Sequence, residues 1–134
     1  MTDANWVFDK AIHLMDEQNE LNGETRTVDT KEYQYRTLSI LNIIQEELYL
    51  FSDTYEVGQN GKRITPPELA SFDQPINLDD AIARGVMPYG LAAHLLLGEN
   101  DAMASFFNEK YENLMIKIGL RKPAVWEYIP SPFG

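Results

Sequence analysis

The two histidines are the first residues of this chain to consider for acid–base or metal chemistry. His13 and Asp16 are three positions apart, so on a helix they would share a face and could hold a metal ion. Two ligands are too few for such a site, and the chain has neither cysteine nor an HExxH motif. His94 lies in an apolar stretch, where a packed or interfacial side chain is a simpler interpretation than a general base. We therefore predict no metal site.

Carboxylates and glycines are the other groups with chemical potential. Adjacent acidic pairs occur at residues 16–17, 46–47 and 79–80, but neighbouring residues on a helix do not converge on one substrate. The glycines match neither of the two common phosphate-binding patterns, GxGxxG and GxxxxGK[ST]. Lys62 and Arg63 form one of two adjacent basic pairs, which indicates a solvated turn or a loop close to DNA. No motif here predicts an enzyme.

The overall charge narrows the class of partner. The 134 residues include 11 Lys and Arg against 21 Asp and Glu, a net charge of −10. Wrapping of nucleic acid and attachment to anionic membranes both depend on clustered basic residues, so neither is expected. The first residues lack the basic and apolar regions of a signal peptide, which favours a protein of the cytoplasm or of a particle assembled there.

The elements that would position any site are helices. Apolar residues recur at helical spacing in four segments, which predicts an all-α fold, a small four-helix bundle with one long helix. Asp29 or Thr30 is the expected cap of the long helix. Pro88 lies inside the third segment, so this helix is expected to kink or to divide in two near Gly85. The segments are about 5–19, about 30–52, about 79–98, and from 100 or 101 to about 118.

Three further expectations concern the last two segments. Gly90, Ala92 and Ala93 would let another helix approach closely, and Gly119 would cap the end of the last helix. The inner face of that helix is expected to carry Met103, Phe106, Phe107, Tyr111, Leu114, Met115 and Ile118.

The remaining regions break the helical pattern. Residues 55–78 carry turn and extended-chain signals, with a possible small hairpin around Asn60 and Gly61. So long an irregular segment is usually functional or mobile. Residues 120–134 combine three prolines with several aromatics, which predicts an extended arm that docks on something. We thus divide the chain into a helical domain, residues 1–119, and a C-terminal arm, residues 120–134.

The order of these segments resembles a known family. Three stretches carry the pattern. There is an acidic pair in residues 78–82, an apolar helix with a Tyr-Gly-Leu-Ala core and a Glu-Asn turn in residues 86–100, and Phe-Phe followed one turn later by Tyr in residues 104–112. Before them come a short helix ending in Met-Asp-Glu, a turn rich in Thr and Asp, and a long helix including residues 35–44. This pattern resembles the head–tail connector proteins of tailed bacteriophages and prophages, also called adaptor or head-completion proteins, over most of residues 5–119.

The resemblance implies a structural role in the virion. Members of this family are mostly α-helical and assemble as a ring, commonly of about twelve copies, beneath the portal protein. The ring extends the DNA channel, lets DNA pass without sequence-specific binding, and presents a surface to the stopper or tail-completion protein. The family has no enzymatic activity and no cofactor. The protein is then expected at the neck of the virion and, during assembly, in the host cytoplasm.

A ring of this kind needs contact surfaces between copies and with the portal. Aromatic and large apolar residues lead at interface hot spots, which selects six candidates. A different class of function stays open beside this one: a small acidic helical protein that binds or regulates a partner, as DNA mimics and antitoxins do. The six candidates for the subunit or portal interface are Trp6, Tyr55, Trp126, Tyr128, Ile129 and Phe133.

Overall fold

The architecture is a bundle of helices, as predicted. A computed structural model describes residues 1–58, 61 and 64–120, and these residues contain no β-strand. The predicted all-α fold is therefore confirmed. Within the described residues, five helices follow one another: α1 Ala4–Met15, α2 Lys31–Tyr49, α3 Asp80–Gly85, α4 Met87–Leu96 and α5 Asp101–Leu120.

The third predicted segment forms two helices rather than one kinked helix. α3 and α4 meet at Val86, whose backbone leaves the helical region with φ −120° and ψ −46°. Pro88 falls in the first turn of α4, where its missing N–H costs no hydrogen bond. The second and fourth predicted segments also differ in length from expectation. α2 has 19 residues and α5 has 20, so these two helices are nearly equal in length, whereas one long helix was expected.

Local hydrogen bonds explain where α1 ends. The pattern predicts a helix to about residue 19, but Asp16 adopts a left-handed conformation with φ 58° and ψ 40°. The side chain of Asn19 then accepts hydrogen bonds from the backbone N–H groups of Leu21 and Asn22, at 2.8 and 3.3 Å. An Asn that bonds its own following backbone forms a turn in place of a further helical turn.

The start of α2 follows the predicted position but not the predicted mechanism. Thr30 precedes the helix, yet its side chain makes no capping hydrogen bond. Its hydroxyl instead donates to the carbonyl of Thr25 at 2.6 Å and accepts from the N–H of Thr27 at 3.0 Å. Thr30 therefore tightens the turn before the helix and is completely buried there.

The second half of the irregular segment belongs to the core. Asn42 of α2 donates to the carbonyl of Leu69 at 3.1 Å and accepts from its N–H at 2.7 Å. One turn later, Gln45 donates to the carbonyl of Pro67 and accepts from the N–H of Asn77, at 3.0 and 3.2 Å. Residues 64–78 are thus tied to α2, and four apolar side chains of this stretch are buried: Pro66, Leu69, Ile76 and Leu78.

α4 lies at the centre of the bundle and packs against α1, α2 and α5. Eight of its ten residues are buried, as expected for a helix that is apolar nearly all round. Gly90 permits a close approach of α4 to α5, since a Cβ at this position would lie 2.9 Å from the ring of Tyr111 on α5. The predicted close packing at this glycine is therefore confirmed. Gly119, expected to end the last helix, lies inside α5.

Several predictions fall on residues outside the described ranges. The hairpin includes residues 59, 60, 62 and 63, so neither it nor the basic pair Lys62 and Arg63 can be placed. The arm residues Trp126, Tyr128, Ile129 and Phe133 also lie outside. The division at residues 119 and 120 accordingly stays a prediction.

Candidate interaction surface

The two described interface candidates, Trp6 and Tyr55, have different neighbours. Trp6 is half-buried on α1, beside Arg84. Tyr55 is half-buried after α2, with its ring edge-on to Tyr49 at a centroid distance of 5.3 Å. Because Tyr49 is itself buried, Tyr55 closes the end of α2 and packs as a structural residue. Trp6 is the better starting point for a surface.

Two basic side chains flank the Trp6 ring. Lys10, one turn further along α1, places its Nζ 5.3 Å from the ring centroid, and the Cζ of Arg84 lies 5.4 Å from it. Both distances are within the range of cation–π attraction. These three residues border an open groove of about 300 Å³, which is also lined by His13, Leu14, Pro88 and Tyr89.

The N-terminal residues hold Arg84 in this position. Its Nε donates to the hydroxyl of Thr2 at 3.0 Å, and that hydroxyl donates to a carboxylate oxygen of Asp80 at 2.8 Å. The hydrogen bond from Thr2 lowers the pKa of Asp80, with smaller lowering by the N-terminal ammonium and Arg84. Thr2 is 2% exposed, so this short chain of hydrogen bonds is anchored in the fold.

An aromatic row continues the surface from α4 to α5. The ring of Tyr89 lies 6.4 Å from that of Phe107, which in turn lies 5.4 Å from Phe106. Lys110 places its Nζ 5.8 Å from the Tyr89 ring. Phe107 is buried, but 60% of Phe106 is exposed. We call this surface the aromatic–cationic face and define it by Trp6, Lys10, Arg84, Tyr89, Phe106 and Lys110.

Sequence reasoning missed most of this face. The spacing placed Met103, Phe106, Phe107 and Tyr111 together on the inner side of the last helix. For Phe106 and Met103 this is wrong, because they are 60% and 37% exposed, whereas Phe107 and Tyr111 are buried. The spacing of Trp6 and Lys10 by four residues was a usable signal, since such pairs meet on a helix.

A second feature is a cluster of carboxylates at the opposite end of α1 and α4. The hydroxyl of Tyr33 donates to both carboxylate oxygens of Glu99 at 2.7 Å. Burial raises the pKa of Glu17, and the negative charges of Glu99, Asp16 and Asp29 raise it further. We call this cluster the acidic end: Asp16, Glu17, Asp29 and Glu99.

Two further grooves lie among the described residues. A groove of about 460 Å³ between α4 and α5 is lined by His94 and Asp101 among small and apolar side chains, and His94 is exposed. A groove of about 560 Å³ lies between α2 and residues 65–68. Within residues 1–58, 61 and 64–120, no three His, Asp or Glu side chains are grouped so that they could hold a metal ion. None of the helices described is long and apolar enough to cross a membrane.

No protein family, no curated protein and no solved structure matches this chain.

Proposed function

We propose that this chain is a structural protein of a phage or prophage particle, a head–tail connector that docks on the portal protein as a ring. What supports the proposal is the order of its helical segments. The stretches that resemble connector proteins overlap three helices: residues 78–82 include the start of α3, residues 86–100 contain α4, and residues 104–112 lie within α5. In this role the ring extends the DNA channel and presents its far side to the stopper or tail-completion protein.

The surface chemistry is compatible with such a role. A ring is built from heterologous contacts, in which one face of a subunit meets a different face of the next. The aromatic–cationic face exposes Phe106 and half-exposes Trp6 and Tyr89, and aromatic side chains lead in protein interfaces. The net charge of −10 is compatible with a channel through which DNA slides without adhering.

The experiment that tests the proposal is binding to a portal ring. The portal gene of the source genome is expressed with this chain, and the ring is sedimented alone and with increasing amounts of the chain. We expect saturable co-sedimentation at about one copy per portal subunit. A portal ring from an unrelated phage is the control. The absence of binding to the cognate ring, or the absence of a portal gene, would overturn the proposal.

The acidic end favours a second candidate, a small regulator that binds a basic surface on a partner. Burial raises the pKa of Glu17 most, the neighbouring carboxylates Glu99, Asp16 and Asp29 raise it further, and a basic partner would offset that repulsion. This candidate predicts that the chain competes with DNA for a basic protein and ignores portal rings. The sedimentation experiment therefore separates the two.

A further inference from the structure

We propose that the aromatic–cationic face is the docking surface for the acidic end of a second copy of this chain. The inference deepens the connector proposal by naming which faces of neighbouring subunits meet, although the contact itself can be tested without a portal.

The first observation is that basic residues are concentrated on this face. Of the eleven basic residues in the chain, four lie outside the described ranges, and three of the other seven belong to the face. Lys10 and Lys110 are both exposed, and across residues 1–58, 61 and 64–120 neither one lies within salt-bridge distance of a carboxylate. Their charges are directed at aromatic rings and solvent, and so stay available to an external anion.

The second observation is the complementary imbalance at the acidic end. Each of the charged groups that shift the pKa of Glu17 is a carboxylate and raises it. The hydroxyl of Tyr33, a buried residue, already donates a hydrogen bond to the carboxylate of Glu99. An incoming ammonium or guanidinium group would replace repulsion by attraction. A second copy of the chain carries such groups on the aromatic–cationic face.

The third observation is the arrangement of the two surfaces along the bundle. Trp6 and Lys10 lie in the first three turns of α1, and Glu17 lies beyond its C-terminal end. Tyr89 lies in the first turn of α4, and Glu99 follows its last turn. At 1.5 Å per residue, the seven helical steps from Tyr89 to Leu96, the last residue of α4 before the acidic end, span roughly 10 Å. A subunit with opposite charges at two such places associates head to tail, which generates a ring when the rotation closes.

The apolar part of the face adds burial of hydrophobic surface to the charge pairing of the contact. Phe106 is 60% exposed, with its ring edge-on to the buried Phe107 and one helical turn before Lys110. Two exposed apolar side chains adjoin residues of the acidic end: Leu97, 68% exposed and two residues before Glu99, and Val28, 81% exposed and directly before Asp29. Covering Phe106 and Leu97 together would remove apolar surface from water while the charges fix the register.

A charge-exchange experiment tests this pairing. One variant reverses the face, with Lys10→Glu and Lys110→Glu, and the other reverses the acidic end, with Glu17→Lys and Glu99→Lys. Self-association of the full chain is followed by amide NMR shifts on dilution from about 1 mM at low salt. We expect each variant alone to associate at least about tenfold more weakly than the original chain, because like charges then face each other. An equimolar mixture should recover association, because each surface then meets its opposite.

The single variant Lys110→Glu is measured as well, and it has a matched control two turns further along α5, Lys117→Glu, which changes the net charge equally. It should leave association unchanged. The pairing is overturned if the original chain shows no concentration-dependent shifts at the two surfaces, or if both variants associate as it does, or if the mixture fails to recover. This experiment and the portal experiment can fail independently. Portal binding without this pairing would contradict only the pairing, and pairing without portal binding would contradict only the connector function.

Discussion

The packing of α4 against α5 at Gly90 gives the sharpest stability prediction. A Cβ at this position would lie 2.9 Å from two ring carbons of Tyr111 and 3.1 Å from Cδ1 of Ile44. Both neighbours are at most 4% exposed, so neither can move into solvent. In Gly90→Ala, two effects oppose each other. Ala is favoured over Gly in a helix interior by about 1 kcal/mol, whereas overpacking a filled core costs about 1–3 kcal/mol.

The steric cost should win at Gly90. We expect the free energy of unfolding of Gly90→Ala to fall by about 1 kcal/mol, equivalent to a decrease in Tm of about 4 °C for a domain of this size. Urea unfolding followed by far-UV circular dichroism measures this change, which should shift the midpoint at a constant slope.

A second glycine provides the matched control. Gly85 ends α3, and a Cβ added to it meets no heavy atom within 4 Å. Gly85→Ala should therefore stabilise the protein or leave it unchanged, by at most about 1 kcal/mol. In a Tyr111→Ala background the Gly90→Ala substitution should lose most of its cost. The reasoning fails if Gly90→Ala stabilises the original chain as much as Gly85→Ala does.

Three further outcomes are expected. Asn42→Ala removes both hydrogen bonds to the backbone of Leu69. It should lower the free energy of unfolding by about 1–3 kcal/mol and accelerate amide hydrogen exchange in residues 64–78. An unchanged exchange pattern would contradict the anchoring of this stretch. Asp80 has a lowered pKa, so its stabilising contribution is complete above the pKa of the unfolded chain and is lost as pH falls through the folded pKa. The stability difference between Asp80→Asn and the original chain should then shrink from pH 7 to about pH 3 in urea unfolding, and a difference that grows would refute the sign. Burial and the charge of Glu47 raise the pKa of Tyr111, so the contribution of this side chain to stability is complete below the ordinary tyrosine pKa and is lost as pH rises through the folded pKa. Tyr111→Phe should therefore lose less stability in alkali than the original chain does. Equal losses would contradict the assignment.

The helices were predictable because their cause is local. The apolar periodicity places all four segments, and Pro88 together with Gly85 indicates where the third divides. The ends were less predictable. The early stop of α1 depends on a left-handed Asp16, and neither periodicity nor composition identifies that conformation.

The anchoring of residues 64–78 could not be predicted, because its partners are distant in the sequence. Leu69 lies among turn residues without periodicity, and only Asn42, 27 residues earlier, shows that it belongs to the core. The same reason applies to the aromatic–cationic face, where Arg84 and Trp6 meet only through the packing of α3 beside α1. Periodicity also could not tell which of the adjacent aromatics Phe106 and Phe107 faces α4.

The central claim, assembly on a portal, is tested most directly by the mass of the complex. Native mass spectrometry of the cognate portal ring with an excess of this chain should show added mass in steps of 15.4 kDa, ending at as many copies as the ring has subunits. The same measurement with the charge-reversed face should stop short of a filled ring. A portal ring whose mass stays unchanged at saturating concentrations of the original chain would contradict the account.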